Sequence, residues 1–196
     1  MKMKIKLPFV LIALLFCGCS HKTPQQKARA KDKTEEYAEY ENSVFNLRYP
    51  KGWTVDDTKW NGEDSLQNEI DIYNPNGSMQ TGCYIHCVKA YFPIQWKSAA
   101  EAAALSKQMK QIKPDPGYLG IYYEKDSLEV GGCPAYLIVY FYKNGNDTLI
   151  NKQYVTLVKK THTTLYFNNN FSIKNWTKGQ ELGDKIISTI HINNAK

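Results

Sequence analysis

Apolar and polar residues alternate over residues 44–49 and again over 69–73, where Ile70 and Ile72 are interleaved with Glu69, Asp71 and Tyr73. A period of two predicts a strand with one wet face. Residues 82–91 form a third such run, with Cys83, Ile85 and Cys87 on one side and Tyr84, His86 and Val88 on the other. The period then changes. Ser98-Ala99-Ala100-Glu101 reads as a capping box, in which the serine hydroxyl accepts from a first-turn amide and the glutamate reaches back to the cap. The spacing predicts a helix from there to residue 113, stopped by Pro114. Ala102, Leu105, Met109 and Ile112 make one apolar stripe along it. That stripe is expected to lie on a sheet, with the flanking alanines allowing close approach.

Four more strands are predicted over residues 118–130, 135–143, 149–160 and 163–168, joined by turns at Gly131-Gly132, Asn144-Gly145 and Thr161-His162. Connections this short imply antiparallel hairpins. Residues 135–142 are apolar on both faces, which calls for cover on both sides of the sheet. Residues 173–188 supply a second helix, with Trp176, Gly179, Gly183, Ile186 and Ile187 along one side and two glycines weakening it. Residues 189–192 read as a last short strand. The expected fold class is α+β: an antiparallel sheet of about six strands flanked by helices, formed by a single domain over residues 43–196.

The first residues are built differently. Lys2, Lys4 and Lys6 precede an apolar run over residues 7–16, a layout that matches a secretory signal. That run is about half the ~20 residues a spanning helix needs. Leu15-Phe16-Cys17-Gly18-Cys19 resembles a bacterial lipobox, with a small residue directly before the cysteine that becomes the new N-terminus. The resemblance implies a signal peptide over residues 1–18 and diacylglycerol and palmitate on Cys19. Two or three acyl chains at about 0.8 kcal/mol per buried methylene would make the membrane anchor stable. Ser20 after the cysteine implies the outer membrane, on its periplasmic side. Residues 20–42 carry five basic and five acidic residues and no aliphatic side chain larger than alanine, so the stretch from 19 to 42 is expected to be a flexible tether.

Charge and composition narrow the function. Removing Lys2, Lys4 and Lys6 from the 25 basic residues leaves 22 against 19 acidic ones, and Arg29 and Arg48 are the sole arginines. That balance excludes the basic footprint of a nucleic-acid binder. The chain has no Gly-x-Ser-x-Gly elbow, His-Glu-x-x-His pair or phosphate-cradling glycine loop, so no catalytic residue, metal ligand or cofactor is assigned. Cys83 and Cys87 lie on one strand ~13 Å apart at ~3.3 Å per residue, with His86 facing the other way, and cannot bond to each other. They read as small buried hydrophobes, with a disulfide from Cys133 to Cys83 or Cys87 as the alternative in an oxidising compartment. Among the 14 tyrosines, Tyr122, Tyr136, Tyr140, Tyr142, Tyr154 and Tyr166 are candidates for a glycan or small-ligand surface, or for packing under a helix.

Phe45-Asn-Leu-Arg-Tyr-Pro-Lys-Gly-Trp53 resembles the opening of PsbP-like domains, a strand ending in tyrosine-proline and then glycine-tryptophan. Val130-Gly-Gly-Cys-Pro-Ala-Tyr136, Leu165-Tyr166, Trp176 and Asp184-Lys-Ile-Ile-Ser-Thr-Ile190 follow in the same order. The resemblance to the Mog/PsbP and DcrB-like group covers nearly all of residues 43–192 and implies a PsbP-like α/β/α sandwich. It also implies binding of other proteins without chemistry, since the group includes photosystem II subunits, Ran-binding proteins, chaperones and envelope lipoproteins. The expectation is therefore a monomeric, non-enzymatic lipoprotein that supports an unidentified envelope protein. The alternative is a glycan or small-ligand module using its tyrosines.

Overall fold

The structure is a computed structural model that describes residues 36–60, 67–77, 84–91 and 96–193. The signal segment, Cys19, most of the tether and Cys83 lie outside the described residues. Ten strands and two helices follow one another as β1 (Tyr37–Glu41), β2 (Phe45–Pro50), β3 (Thr54–Asp56), β4 (Gln67–Tyr73), β5 (Tyr84–Tyr91), α1 (Ala99–Ile112), β6 (Tyr118–Val130), β7 (Cys133–Asn144), β8 (Asp147–Val158), β9 (Thr163–Ser172), a 3-10 turn (Ile173–Asn175), α2 (Trp176–Ile187) and β10 (His191–Ile192). These are counts among the described residues.

A seven-stranded sheet runs β3-β4-β5-β9-β8-β7-β6, and a second sheet runs β1-β2-β10; every pairing is antiparallel. Gly131 and Gly132 both take positive φ, 60° and 84°, in the two-residue connection of the β6–β7 hairpin. That geometry suits the right-handed strand twist and explains two successive glycines there. Ser98 caps the helix as expected, with Glu101 N–H donating to its hydroxyl at 3.2 Å, while the Glu101 carboxylate accepts from Lys97 N–H at 2.8 Å, one residue before the cap.

One face of the large sheet is closed by α2 and the small sheet. Phe45 and Leu47 of β2, Ile186, Ile187 and Ile190 meet Ile70, Ile72, Ile85, Leu165, Phe167 and Phe171 there in one continuous core. Lys152 reaches from β8 to Asp184 of α2 at 2.5 Å, and Tyr154 donates to the same carboxylate at 3.0 Å, so a part-buried polar clasp ties helix to sheet. The other face carries α1, which packs on β7 and β8 through Ala102 and Ala103 over Ile138, Tyr140 and Val155. Both faces of β7 are thus covered, as its two-sided apolar pattern requires.

The structure departs from expectation in four places. Residues 37–41, read as tether, form β1, because main-chain pairing with β2 from Tyr37↔Pro50 to Glu41↔Asn46 holds a strand whose side chains are mostly polar. The three-residue strand β3 extends the sheet beyond β4, too short for a period to show. β9 continues past residue 168 through Asn169 and Asn170 to Ser172. Finally, α1 is rotated from the expected orientation. Its alanine face meets the sheet, while Met109 and Ile112 are 53% and 69% exposed. The small side chains allow closer approach than leucine or methionine would.

Candidate functional site

α1 covers the β7–β8 half of its face and leaves the β5–β9 half open, and the step between them is a solvent-open cleft of about 800 Å³. Strand register builds its floor in three rows. Tyr84 of β5 lies beside Asn170 of β9, which lies beside Asn151 of β8; His86, Asn168 and Gln153 form the next row; Val88, Tyr166 and Val155 the third. The four carboxamides are coupled across strands. Asn151 Nδ2 donates to Asn170 Oδ1 at 2.7 Å and Gln153 Nε2 to Asn168 Oδ1 at 3.0 Å. Asn168 and Asn170 in turn donate to the carbonyls of His86 and Tyr84 at 3.1 and 3.4 Å. The Ser106 hydroxyl of α1 donates to Gln153 Oε1 at 2.8 Å, fastening the helix to this row.

At the β5 side the Tyr84 and His86 rings stand parallel within 9°, 6.2 Å apart. Both engage Asp71 of β4: the Tyr84 hydroxyl donates to its Oδ1, and His86 Nδ1 lies 2.5 Å from the same oxygen. Burial, reinforced by that carboxylate, pushes the Tyr84 phenol far above its ordinary value. Burial alone pushes Tyr166 up to about 12. The far wall is Leu105 and Met109 of α1, and at the helix end Lys110 is paired with Asp115. Burial opposes the Lys110 charge, but hydrogen bonds to Asp115 and Tyr142 outweigh it and hold its pKa above the usual lysine value. Burial raises Tyr142 as well, so the three phenols of the cleft stay protonated at neutral pH. Among the described residues no group of three His, Cys, Asp or Glu side chains is placed to hold a metal ion.

The six tyrosines singled out in the sequence do not form one surface. Tyr142 and Tyr166 line the cleft. Tyr140 is fully buried under α1, Tyr136 packs beside it, and Tyr154 faces α2 through its bond to Asp184. Tyr122 lies on edge strand β6, its ring stacked on Phe141 at 4.8 Å. The tyrosine-rich surface is therefore replaced by a cleft in which amides outnumber phenols. Tyr84, Asn151, Gln153, Asn168 and Asn170 were not singled out from sequence. A partial signal was present: Asn151 and Gln153 two apart on β8 and the run Asn168-Asn169-Asn170 on β9 place carboxamides on one face of adjacent strands.

Cys87 faces the core on β5 and Cys133 begins β7; both are buried, with free thiols. β9 and β8 lie between their strands, so they stand at least three strand spacings apart, ~14 Å, whereas a disulfide needs Cα atoms within ~7 Å. The sheet excludes that pairing, and the alternative through Cys83 lies outside the described residues. Burial pushes both thiols up, with Asp71 adding to the effect at Cys87 and Glu129 at Cys133. Thiolate is therefore scarcer at pH 8 than for a free cysteine. Native protein incubated with iodoacetamide is expected to remain unmodified at both positions by peptide mapping, and to react fully in urea; labelling of native Cys87 within minutes would contradict the burial.

The sequence matches no protein-family model and no curated protein. Solved structures do match. Cyanobacterial PsbP (CyanoP) from Synechocystis sp. PCC 6803 superposes with a TM-score of 0.55 at 14% identity, over 81% of this chain and 93% of that one. The fold is PsbP-like. The Saccharomyces cerevisiae Ran-binding protein Mog1p matches it with a TM-score of 0.52 at 9% identity, over 80% of this chain and 95% of its own. At these identities the likeness is one of fold. The PsbP-like architecture here is the seven-stranded sheet between α1 on one face and α2 with the small sheet on the other.

Proposed function

We propose that this protein is a lipid-anchored, non-catalytic component of the cell envelope that docks another envelope protein along the β6 edge of its sheet. One observation carries the docking surface. Of the eight large hydrophobics that are exposed among the described residues, Leu119, Ile121, Tyr122 and Tyr123 lie on β6, and Ile173 and Trp176 lie at the start of α2. Trp176 sits edge-on to Tyr122 at 6.2 Å on the α2 side of this edge, while Ile121, opposite Tyr140, lies on its α1 side, so the exposed apolar side chains wrap the β6 edge. Clustered exposed apolar side chains of this kind mark interaction surfaces. Three register shifts break the β6 ladder against β7, which blunts simple strand addition. Side chains rather than main-chain pairing would therefore carry the contact. The anchor rests on the lipobox-like segment ending at Cys19, and no described helix is long and apolar enough to cross a membrane. That Mog1p is a Ran-binding protein supports the use of such a scaffold for binding proteins.

Two measurements test the reading. Mass spectrometry of the mature N-terminus should find an acylated Cys19, with the Cys19→Ala chain moving to the soluble fraction; an unmodified terminus would remove the anchor. A photo-crosslinker at position 122 should capture one envelope protein in intact cells. That capture should fall roughly tenfold in a Leu119→Lys/Ile121→Lys variant of unchanged melting temperature. Equal capture from position 178 on the exposed side of α2, or capture of a second copy of the chain alone, would overturn it.

A further inference from the structure

The cleft is separate from the β6 patch and has its own chemistry. We propose that it is a binding site for a neutral saccharide. Its size falls in the ~300–1,000 Å³ range of small-ligand sites, and its solvent opening leaves it accessible. The chemistry of the floor decides the class. Coupling Asn151 to Asn170 and Gln153 to Asn168 uses one donor and one acceptor from each couple. A carboxamide has two N–H donors and an oxygen with two lone pairs. Asn170, for example, accepts from Asn151 and donates to the Tyr84 carbonyl, so one N–H and one lone pair are left.

The floor thus mixes uncharged donors and acceptors row by row. An anion would meet carboxamide oxygens and a cation would meet N–H groups. A hydroxyl both donates and accepts, and fits either. Most of the charge on the wall is compensated, Lys110 being paired with Asp115 and His86 lying against Asp71, with Lys113 the further basic side chain of the lining. The coupled amides are held in place before any ligand arrives, by strand carbonyls below and by Ser106 from the side. Little ordering of the site is therefore needed on binding.

The remaining walls suit the other surface of a sugar ring. Tyr84, Tyr142 and Tyr166 line the cleft beside Val88, Leu105 and Met109. Amphipathic rings offer contact area at low entropy cost, together with a phenolic O–H at the rim. An extended peptide would need an open strand edge for its main chain, and the floor strands β5, β9 and β8 are each paired on both sides. The inference goes beyond the docking of a protein at β6 and does not depend on it.

The test uses the full chain carrying Cys19→Ala, with saturation-transfer NMR and calorimetry. Maltose and N,N′-diacetylchitobiose are the neutral probes, glucose 6-phosphate the anionic one and trialanine the peptide. At least one neutral disaccharide should bind. Its affinity should fall at least roughly tenfold in Met109→Trp, which fills the mouth from an exposed position and does not endanger folding, and in Asn168→Leu. The Leu119→Lys/Ile121→Lys variant should change it less than about twofold, which separates this site from the docking surface. Failure of both neutral sugars to bind, tighter binding of glucose 6-phosphate or trialanine, or undiminished binding in Met109→Trp would each overturn the proposal.

Discussion

Replacing Phe45 with alanine is expected to destabilise the domain by about 3–5 kcal/mol, the range for deleting a large aromatic from a packed core. Phe45 is 1% exposed and joins the two sheets. Its ring stands edge-on to Phe167 of β9 at 5.3 Å and to Trp60 at 6.0 Å, with Tyr40 of β1 at 6.3 Å. Alanine removes three aromatic contacts at once, and the sheets cannot close over the gap because β2 is held by β1 and β10 on either side. At roughly 2–4 °C per kcal/mol for a chain of this size, the melting temperature should fall by about 6–20 °C. Urea denaturation followed by tryptophan fluorescence should show a lower midpoint with the slope unchanged. A loss below about 1 kcal/mol would mean that the small sheet is not packed as described.

The second large effect runs against helix propensity. An exposed glycine inside a helix gains about 1 kcal/mol on becoming alanine, but Gly183→Ala is expected to cost about 2 kcal/mol net. A β-carbon there would run into the Asn169 carboxamide, and one at Gly179 would stand 2.6 Å from Phe171 Cβ. Asn169 has no room to turn aside: it is fully buried, and its Nδ2 donates to the Gly179 carbonyl at 3.3 Å. Either α2 lifts off the sheet or that bond breaks, and overpacking of this kind costs ~1–3 kcal/mol before the lost hydrogen bond is added. Chemical denaturation of Gly183→Ala beside a Lys178→Ala control gives the comparison. The control changes a solvent-facing position and should stay within about 0.5 kcal/mol. A stabilised Gly183→Ala protein would show that propensity outweighs close approach.

The same glycines explain what the sequence disclosed and what it hid. Gly179, Gly183, Ile186 and Ile187 do share the buried side of α2, so the period located the face. Propensity marked the glycines as weakness, whereas they are where the helix backbone comes nearest the sheet. Strands 118–130, 135–143 and 149–160 were legible because short turns separate them, and residues 135–142 showed by their two apolar faces that the sheet is covered on both sides. β1 was hidden because its stability comes from main-chain pairing, which leaves little trace in the side chains. α1 was placed correctly along the chain but turned about its axis. Apolar periodicity cannot distinguish a stripe that meets a sheet from one that walls a cleft. The cleft itself depends on which strands become neighbours: Tyr84 and Asn170 are 86 residues apart in the chain and adjacent in the sheet. No local pattern encodes that. Cys19 and Cys83 lie outside the described residues, and their roles remain as read from the sequence.

The strand order also sets when the chain can finish folding during synthesis. β5 has β4 on one side, but its other edge waits for β9, and β2 waits for His191 and Ile192, which are made after every other described strand. Pairings this distant close slowly, because a long loop must be ordered before any contact is formed. A nascent chain that stops before β9 holds hairpins but no finished core. It stays threadable through a narrow pore until β9 and β10 have been made, and deleting His191 and Ile192 would act on β2, far earlier in the chain.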